Sequence, residues 1–300
     1  MAAPDRIILG SRGSELALTQ TRMVEQALRS VYPATTVEIK VIRTGGDERR
    51  KSAPRLDPKG GRKGLFTREI ERELSAGRID LAIHSAKDLP SEEPDDLEIG
   101  ATLPRGKTED VLITTEDFGL TTLPAGATIA TGSIRRQRQL RWQRPDLFIV
   151  DLRGNVPTRL RKLRENKDWS GIVLARIGLE RLGLEWQGEA LPEDKFLSAG
   201  GQGIIAIQVR RGDETMRKAG EAIDDRATHL CLRAEREFLR LLNGDCNAPV
   251  GVRARILGDE LQIRAQIFEA EPAPRTAFAS GSAGKPEKIA AELMEKIHEN

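Results

Sequence analysis

The segment RIILGSRGSELALTQTRMVEQALRSV, residues 6–31, decides the architecture of the first part of the chain. Arg6 to Gly10 has the short apolar character of a buried strand, and Glu15 to Val31 has the length and apolar spacing of a helix that Pro33 ends. The apolar positions in this helix are Leu16, Met23, Ala27 and Val31. A strand followed directly by a helix is typical of α/β folds and predicts a mostly parallel sheet.

The same alternation continues beyond residue 31. Residues 37–41 alternate apolar and charged side chains as a second strand, residues 65–74 form a predicted helix, and residues 81–84 form a third strand. Ligands of such sheets bind beyond the carboxyl ends of the strands. Three loops are expected there, each with a charged or hydroxyl side chain: Ser11–Ser14, Thr44–Asp47 and Ser85–Asp88.

A second α/β unit is predicted to begin near Asp110, with strands at 111–114, 129–131, 148–150 and 172–175. It contains two arginine-rich segments, SIRR at 133–136 and RGNVPTR at 153–159, each after a strand and before a predicted helix. Free backbone N–H groups at helix starts bind anions, and guanidinium groups match carboxylates and phosphates with paired hydrogen bonds. The two segments therefore predict a polyanionic ligand.

A second interpretation of the arginines stays open from the residues alone. They fit a charged helix face with partners four residues away, which is the favoured interpretation for Arg161, Lys162 and Arg164. Arg153 lies in a glycine-containing turn and fits that interpretation less well.

The last third of the chain changes character. Residues 199–203, AGGQG, precede an apolar strand and suit a hinge between domains, because they lack the strand-before, helix-after setting of a dinucleotide loop. From Ala227 the pattern predicts a long helix to Leu242, three strands at 252–257, 261–268 and 276–280, and a closing helix from Pro286. This segment is expected to form a small α+β domain.

Composition excludes several classes of protein. The chain has 300 residues and a formal net charge of +2, from 48 Lys and Arg against 46 Asp and Glu, and 4% aromatic residues. A general nucleic-acid coat is therefore not expected. Two cysteines and three histidines without metal-ligand spacing indicate a reducing compartment and no structural metal. With no apolar secretory segment or membrane span in the sequence, we expect a soluble, cytoplasmic protein.

Five residues are weighed as candidates for chemistry. Lys87 and Asp88 follow an apolar strand and are either a solvated pair or part of a basic cleft in which Asp88 transfers protons. Cys231 shares a helical face with apolar residues and is interpreted as a core residue, whereas Cys246 lies in a turn with little packing reason for a thiol. His84 ends a strand and is interpreted as structural rather than as a general base.

Seven short motifs, in order along nearly the whole chain, resemble those of the porphobilinogen deaminase (hydroxymethylbilane synthase) family. They are Ser11–Leu18, Lys63–Phe66, His84–Pro90, Gly132–Arg136, Leu152–Val156, Gly201–Gly203 and Cys246–Pro249. Each motif is weak by itself, but the set is highly specific.

The resemblance implies an α/β fold of two periplasmic-binding-protein-like lobes with mixed, mostly parallel sheets, plus a small C-terminal α+β domain. Domain 1 would comprise 1–104 and 200–221, domain 2 would comprise 105–199, and domain 3 would comprise 222–300. The protein is expected to be a monomer that requires no protein partner, nucleic acid, membrane or metal.

The resemblance also implies an activity and a cofactor. A dipyrromethane cofactor would be bound through a thioether to Cys246 and would prime the addition of four porphobilinogen molecules, each losing ammonia, before hydroxymethylbilane is released. Asp88 would be the catalytic carboxylate. The residues implied to bind substrate and cofactor carboxylates are Arg12, Ser14, Lys87, Ser133, Arg135, Arg136, Arg153, Arg159 and Arg181.

Two positions depart from the family pattern. Arg62 follows the glycine pair before Lys63, and Asp245 stands where the family usually has glycine. The loop 47–63, together with Lys63 and Phe66, is expected to serve as a lid over the cleft. The alternative functions are a two-lobed protein that closes on a small anion without using Cys246 or Asp88, and binding of a nucleic-acid backbone.

Overall fold

The computed structural model describes residues 4–43, 67–242, 249–269 and 273–299. A first five-stranded sheet contains β1 (Arg6–Arg12), β2 (Thr36–Ile42), β3 (Leu81–Ser85), β4 (Leu97–Thr102) and β10 (Ile205–Arg210). Its order is β2-β1-β3-β10-β4. β1 is parallel to β2 and β3, whereas β10 is antiparallel to β3 and β4. The sheet is therefore mixed, with the antiparallel strand supplied by a distant part of the chain.

Helices cover both faces of this sheet. They are α1 (Glu15–Val31), α2 (Arg68–Ser75) and α6 (Glu214–Glu221). α1 begins where the Ser14 hydroxyl accepts a hydrogen bond from the Ala17 N–H, a standard helix cap. Val24 of α1 and Met216 of α6 enter one buried cluster, while Ile70 of α2 enters another on the opposite face. The two clusters enclose the sheet between helical layers.

The predicted helix α1 is confirmed with its bounds, but two of the apolar residues that indicated it do not lie on its buried face. Met23 and Val31 are 39% and 45% exposed, and the helix instead buries Gln20, Thr21, Val24 and Leu28. The reason is local hydrogen bonding to the strand ends. The Thr21 hydroxyl bonds to that of Ser11 at 2.7 Å, and the Ser85 hydroxyl donates to Gln20 Oε1 at 2.9 Å. Polar contacts, and not hydrophobicity alone, set the rotation of α1.

A second five-stranded sheet contains β5 (Asp110–Thr114), β6 (Thr128–Ala130), β7 (Phe148–Val150), β8 (Gly171–Ala175) and β9 (Gly188–Ala190), in the order β7-β6-β8-β5-β9. β6 is parallel to β7 and β8, and β5 is antiparallel to β8 and β9. The associated helices are α3 (Ile134–Gln143), α4 (Val156–Glu165) and α5 (Arg176–Arg181). Ser133 and Asn155 cap α3 and α4, so both arginine-rich segments do lie at helix starts.

The C-terminal part is a three-stranded antiparallel sheet with two helices. It comprises α7 (Arg226–Leu241), β11 (Val250–Leu257), β12 (Glu260–Ile267), β13 (Arg275–Ser282) and α8 (Pro286–Glu299). Phe238 of α7, Ile263 of β12 and Leu293 of α8 meet in its core. Two mixed α/β sheets followed by a small α+β unit confirm the expected fold class.

The chain passes twice between the first and second sheets, at residues 103–109 and 191–204. Arg105 in the first crossing donates two hydrogen bonds to the fully buried carboxylate of Glu235 in α7, at 2.5 and 3.2 Å. Arg105 Nε also donates to the carbonyl of Gln202 in the second crossing at 2.9 Å. The Glu235 carboxylate also accepts hydrogen bonds from the N–H groups of Gly201 and Ala254, at 2.6 and 2.7 Å. One ion pair thus joins both crossings to the C-terminal unit.

The neighbouring residue, Arg236, connects the same helix to the first sheet. Its Nη2 donates to the carbonyl of Ser91 at 3.2 Å and to Glu93 Oε1 at 3.1 Å. Leu232 of α7 packs with Ala86 and Leu89 in a shared buried cluster. The loop that follows β3 is therefore held against α7 by both polar and apolar contacts.

We predict that Glu235→Ala lowers the free energy of unfolding by about 3–5 kcal/mol, because it leaves a mostly buried guanidinium and two backbone N–H groups without an acceptor. The matched control is Glu165→Ala, which removes an ion pair with Arg161 whose side chains are 57% and 61% exposed. It should change stability by less than about 0.5 kcal/mol. Urea unfolding of both variants measures the difference, and equal midpoints would contradict the prediction.

Candidate functional site

The loop after β3 is held in one conformation by its backbone. Ala86–Asp88 forms a 3₁₀ turn, in which the Ala86 N–H donates to the carbonyl of Ile204 at 3.0 Å and the Leu89 N–H donates to Ala86 at 3.2 Å. Ala86 and Leu89 are buried, while the side chains of Lys87 and Asp88 between them are half-buried. The turn therefore presents one ammonium and one carboxylate from a fixed backbone at a strand end.

A glycine turn packs against this loop. Gly201 has φ +73°, and a Cβ there would lie 2.9 Å from the backbone nitrogen of Lys87; Gly203 has φ +88°, and a Cβ there would lie 2.6 Å from the carbonyl oxygen of Gly106. Both positions need glycine because of the left-handed backbone and the close approach. This contact brings the second crossing directly onto the Lys87 turn.

Lys87 is held in a partly desolvated position between two guanidinium groups and two carboxylates. Burial, followed by the nearby guanidinium of Arg136, lowers the pKa of Lys87 to about 8, although the carboxylates of Asp88 and Asp110 oppose the shift. Its Nζ donates to Gln202 Oε1 at 3.4 Å. A bound carboxylate would stabilise the charged ammonium against burial, so the position is suited to an anionic ligand.

Arg135 and Arg136 at the start of α3 converge on the buried carboxylate of Asp110. Arg135 Nη2 donates to Asp110 Oδ2 at 2.9 Å, and Arg136 donates through Nε and Nη2 at 3.0 and 2.7 Å. Burial by itself raises the pKa of Asp110, but the two guanidinium groups outweigh burial and hold it well below its ordinary value. Asp110 is thus an internal anion, ionised at neutral pH.

The sequence did not indicate a role for Asp110, because a single polar residue at the start of an apolar strand is an ordinary feature. Its partners are 25 and 26 residues away, and sequence spacing does not reveal that pairing. Two of the predicted arginines are therefore engaged with a carboxylate of the protein itself. Arg135 and Arg136 are 4% and 6% exposed and hold Asp110, and their assignment to ligand carboxylates stays a prediction.

The second arginine segment lies beside the first but is exposed. A Cβ on Gly132 would lie 2.5 Å from the carbonyl oxygen of Leu152, so the loops before α3 and α4 are adjacent. Arg153 pairs with Asp151 at 2.6 Å and is 57% exposed. Arg159 Nε donates to the carbonyl of Gly154 at 2.8 Å. The prediction that Arg153 does not belong to a helix face is confirmed, since it precedes α4.

Arg181 and Arg12 reach the site from two other elements. Arg181, at the end of α5, donates to the carbonyl of Gly203 at 2.8 Å, and burial lowers its pKa to about 10. Arg12 ends β1, and its charge acts on the imidazole of His84. Ser14 and Ser133 both serve as helix caps. Residues of the turn at Gly201–Gly203 thus make direct hydrogen bonds with Lys87, Arg181 and Asp110.

Several predicted positions fall outside the described residues. These are the cofactor position Cys246, the loop residues Lys63 and Phe66, the proposed lid 47–63 and the loop Thr44–Asp47.

Two predicted structural residues are confirmed as such. Burial lowers the pKa of His84 to about 4, so its imidazole is neutral at pH 7. Cys231 is 5% exposed in the C-terminal core, and burial raises the pKa of its thiol to about 12. Neither group has the ionisation behaviour expected of a base or nucleophile at neutral pH.

Within residues 4–43, 67–242, 249–269 and 273–299, no helix has the length and apolar character needed to span a membrane. The same ranges contain no group of three His, Cys, Asp or Glu side chains that would hold a metal ion.

Comparison with known proteins identifies related sequences over almost the whole chain. A family model described as "Porphobilinogen deaminase, dipyromethane cofactor binding domain" matches residues 7–218, and one described as "Porphobilinogen deaminase, C-terminal domain" matches residues 229–299. Porphobilinogen deaminase from Roseiflexus sp. strain RS-1 is 43% identical over 295 residues, covering 97% of this chain and 95% of that protein. The protein of the same name from Syntrophomonas wolfei is 47% identical over 260 residues, covering 86% and 84%.

Solved structures with lower similarity include the methionine-binding protein MetQ. It is 15% identical, with a TM-score of 0.44, covering 73% of this chain and 90% of that protein.

We predict that Lys87 makes stability depend on pH in an unusual direction. Its pKa is about 8 in the folded protein against 10.5 in the unfolded chain, so between these values the unfolded state binds more protons and the free energy of unfolding rises with pH. Below pH 8 Lys87 is protonated in both the folded and the unfolded state, and burial of its charge then lowers the free energy of unfolding by the full amount. Urea unfolding of the apoprotein and of Lys87→Met between pH 7 and 10.5 should show a stability difference that rises in favour of the wild type. A constant difference would contradict the prediction.

Proposed function

The chain belongs to the porphobilinogen deaminase family, and from this premise we propose which of its residues carry out the reaction. The protein is a transferase of tetrapyrrole biosynthesis. It deaminates four porphobilinogen molecules, joins them head to tail on a covalently bound dipyrromethane primer, and releases hydroxymethylbilane and ammonia.

We propose Asp88 as the catalytic carboxylate. The observation that carries this proposal is its position on the turn after β3, directly after Lys87, whose ammonium is under the charge of both Asp88 and the Arg135 and Arg136 guanidinium groups. Loss of ammonia from porphobilinogen leaves an electron-poor azafulvene, and formation of the next carbon–carbon bond places positive charge on pyrrole nitrogen. A carboxylate held near that nitrogen stabilises the charge and transfers protons: the departing amine takes up one proton to leave as ammonia, and the pyrrole α-carbon that forms the new bond gives one up.

Cys246 is the proposed attachment site of the primer. The primer supplies a free pyrrole α-position for the first addition, and its acetate and propionate groups require cationic partners. The described residues fit such a group, because burial and adjacent guanidinium groups already lower the pKa of Lys87 and so favour an added carboxylate. Lys63 and Phe66 are proposed to belong to a lid over this cleft.

The remaining predicted residues are proposed to bind carboxylates of the primer and of the growing chain. Arg153 is suited to this role because its acidic partner, Asp151, is itself 48% exposed and leaves the guanidinium accessible. Arg135 and Arg136 donate to Asp110, and their Nη1 groups donate to other protein acceptors, so binding of a ligand by this pair depends on the few N–H groups that remain. The other members of this set are Arg12, Ser14, Lys87, Ser133, Arg159 and Arg181.

Three domains are proposed for these roles. Residues 1–104 and 200–221 form domain 1 with Asp88, residues 105–199 form domain 2, and residues 222–300 form domain 3 with Cys246. The membership of β10 in the first sheet supports the return of the chain to domain 1.

A monomer in the cytoplasm without an obligate protein partner is the proposed working form. A reducing compartment supports this location because Cys246 must be a free thiol before the primer attaches.

We predict that Asp88→Asn keeps its primer but loses most of its turnover, about a hundredfold or more, since it removes the carboxylate and retains the shape of the side chain. Measurement combines intact mass, which reports the primer, with the rate of hydroxymethylbilane formation. Turnover near that of the wild type would remove Asp88 from the mechanism. Asp117→Asn, on an exposed loop of the second sheet, is the control and should leave turnover unchanged.

The primer is tested separately by intact mass and peptide mapping of the wild type and of Cys246→Ser. The expected result is an adduct of two linked pyrrole units on the Cys246 peptide, absent from the variant. A bare thiol in protein from cells with a working tetrapyrrole pathway would contradict the attachment site.

A further inference from the structure

The side chain of Gln202 lies at the floor between the first and second sheets and is only 1% exposed. Its Nε2 donates to the carbonyl of Thr108 at 2.6 Å and to Asp110 Oδ1 at 2.9 Å. Its Oε1 accepts from Lys87 Nζ at 3.4 Å. One amide therefore contacts the turn that carries Asp88 and the carboxylate that holds Arg135 and Arg136.

The chemistry of the partners requires an amide at this position. An ammonium group only donates and an ionised carboxylate only accepts, so the orientation of the Gln202 amide is fixed by Lys87 and Asp110. A glutamate would place a second carboxylate beside Asp110, and an apolar side chain would remove the bond that Gln202 makes to each of these two partners. Glutamine is suited to both bonds because it has a donor and an acceptor at the same end.

The backbone of Gln202 is held as firmly as its side chain. It lies between Gly201 and Gly203, whose positive φ angles and close contacts fix the turn. Its carbonyl accepts from Arg105 Nε at 2.9 Å, and the Gly201 N–H donates to Glu235. The backbone at Gln202 is thus bonded to the place where both crossings contact α7. Its side-chain amide therefore keeps its position relative to both sheets.

We infer that Gln202 is a positioning residue, which sets the placement of Lys87 relative to the Asp110, Arg135 and Arg136 cluster and so aligns carboxylate-binding groups from both sides of the cleft. This inference rests on the proposed function of Lys87 and the arginines. The charged groups that face Lys87 are Asp88 on its own turn, Asp110 of β5, and Arg135 and Arg136 of α3. All four remain when Gln202 is replaced.

Gln202→Met is the test, because methionine has a similar length without the amide. Lys87 then loses the acceptor that favours its charged form, so its pKa should fall below the wild-type value. Misaligned binding groups should raise KM for porphobilinogen by about tenfold, the effect of one lost hydrogen bond to a charged group. The holoenzyme is labelled with ¹³C at lysine Cε, Lys87→Met assigns the resonance, and a pH titration gives the pKa.

The matched control is Gln266→Met. Gln266 is also 1% exposed, and its amide bonds to Gln139 at 2.7 Å and to the carbonyl of Lys195 at 3.2 Å. It should lose stability without changing the pKa of Lys87 or KM. If Gln202→Met does not fold, Gln202→Asn takes its place, since it keeps the amide but is one methylene too short to reach both partners.

The inference is supported if the Gln202 variant lowers the pKa of Lys87 and raises KM while Gln266→Met does neither. It is overturned if the two variants have the same Lys87 pKa and the same KM. Because the titration needs no turnover, this result is independent of whether Asp88 or Cys246 has its proposed function.

Discussion

The burial of one carboxylate, Asp110, between two guanidinium groups constrains much of the site. An unpaired charge in this position would be very costly, so β5 and the start of α3 must keep their separation as long as the protein is folded. The first arginine segment gains its rigidity from this pair. The two guanidinium groups are therefore held in place by an anion that belongs to the protein itself, which lowers the cost of keeping these like charges together.

The second constraint is the close approach of the two crossings. The left-handed turn at Gly201–Gly203 touches the Lys87 backbone, and Arg105 ties the same turn to Glu235. A side chain at Gly201 would press on the backbone of Ala86 and Lys87, and one at Gly203 would press on the carbonyl of Gly106 in the first crossing. The turn that carries Asp88 is thus positioned by backbone contacts from other parts of the chain and not by its own loop alone.

Most elements follow from the sequence, because their signals are local. Branched apolar runs predicted β3, β7 and β8, and the caps Ser133 and Asn155 were implicit in the prediction of helix starts after two strands. The short strand β9 and the helix α6 were not predicted, since each has few residues and little periodicity. The exposed Met23 and the internal role of Asp110 escaped prediction for a different reason. Both depend on partners far away in sequence, and only the folded chain brings those partners together.

Helix α7 contributes two neighbouring residues that form hydrogen bonds with different parts of the molecule. Glu235 holds both crossings, and Arg236 holds the loop after Asp88, while the opposite side of the helix packs into the C-terminal core. Helix α7 therefore links the first sheet, both crossings and the C-terminal core. Loss of the C-terminal core would release both crossings and the turn that carries Asp88 together, so the C-terminal unit and the first sheet should unfold in a single cooperative step.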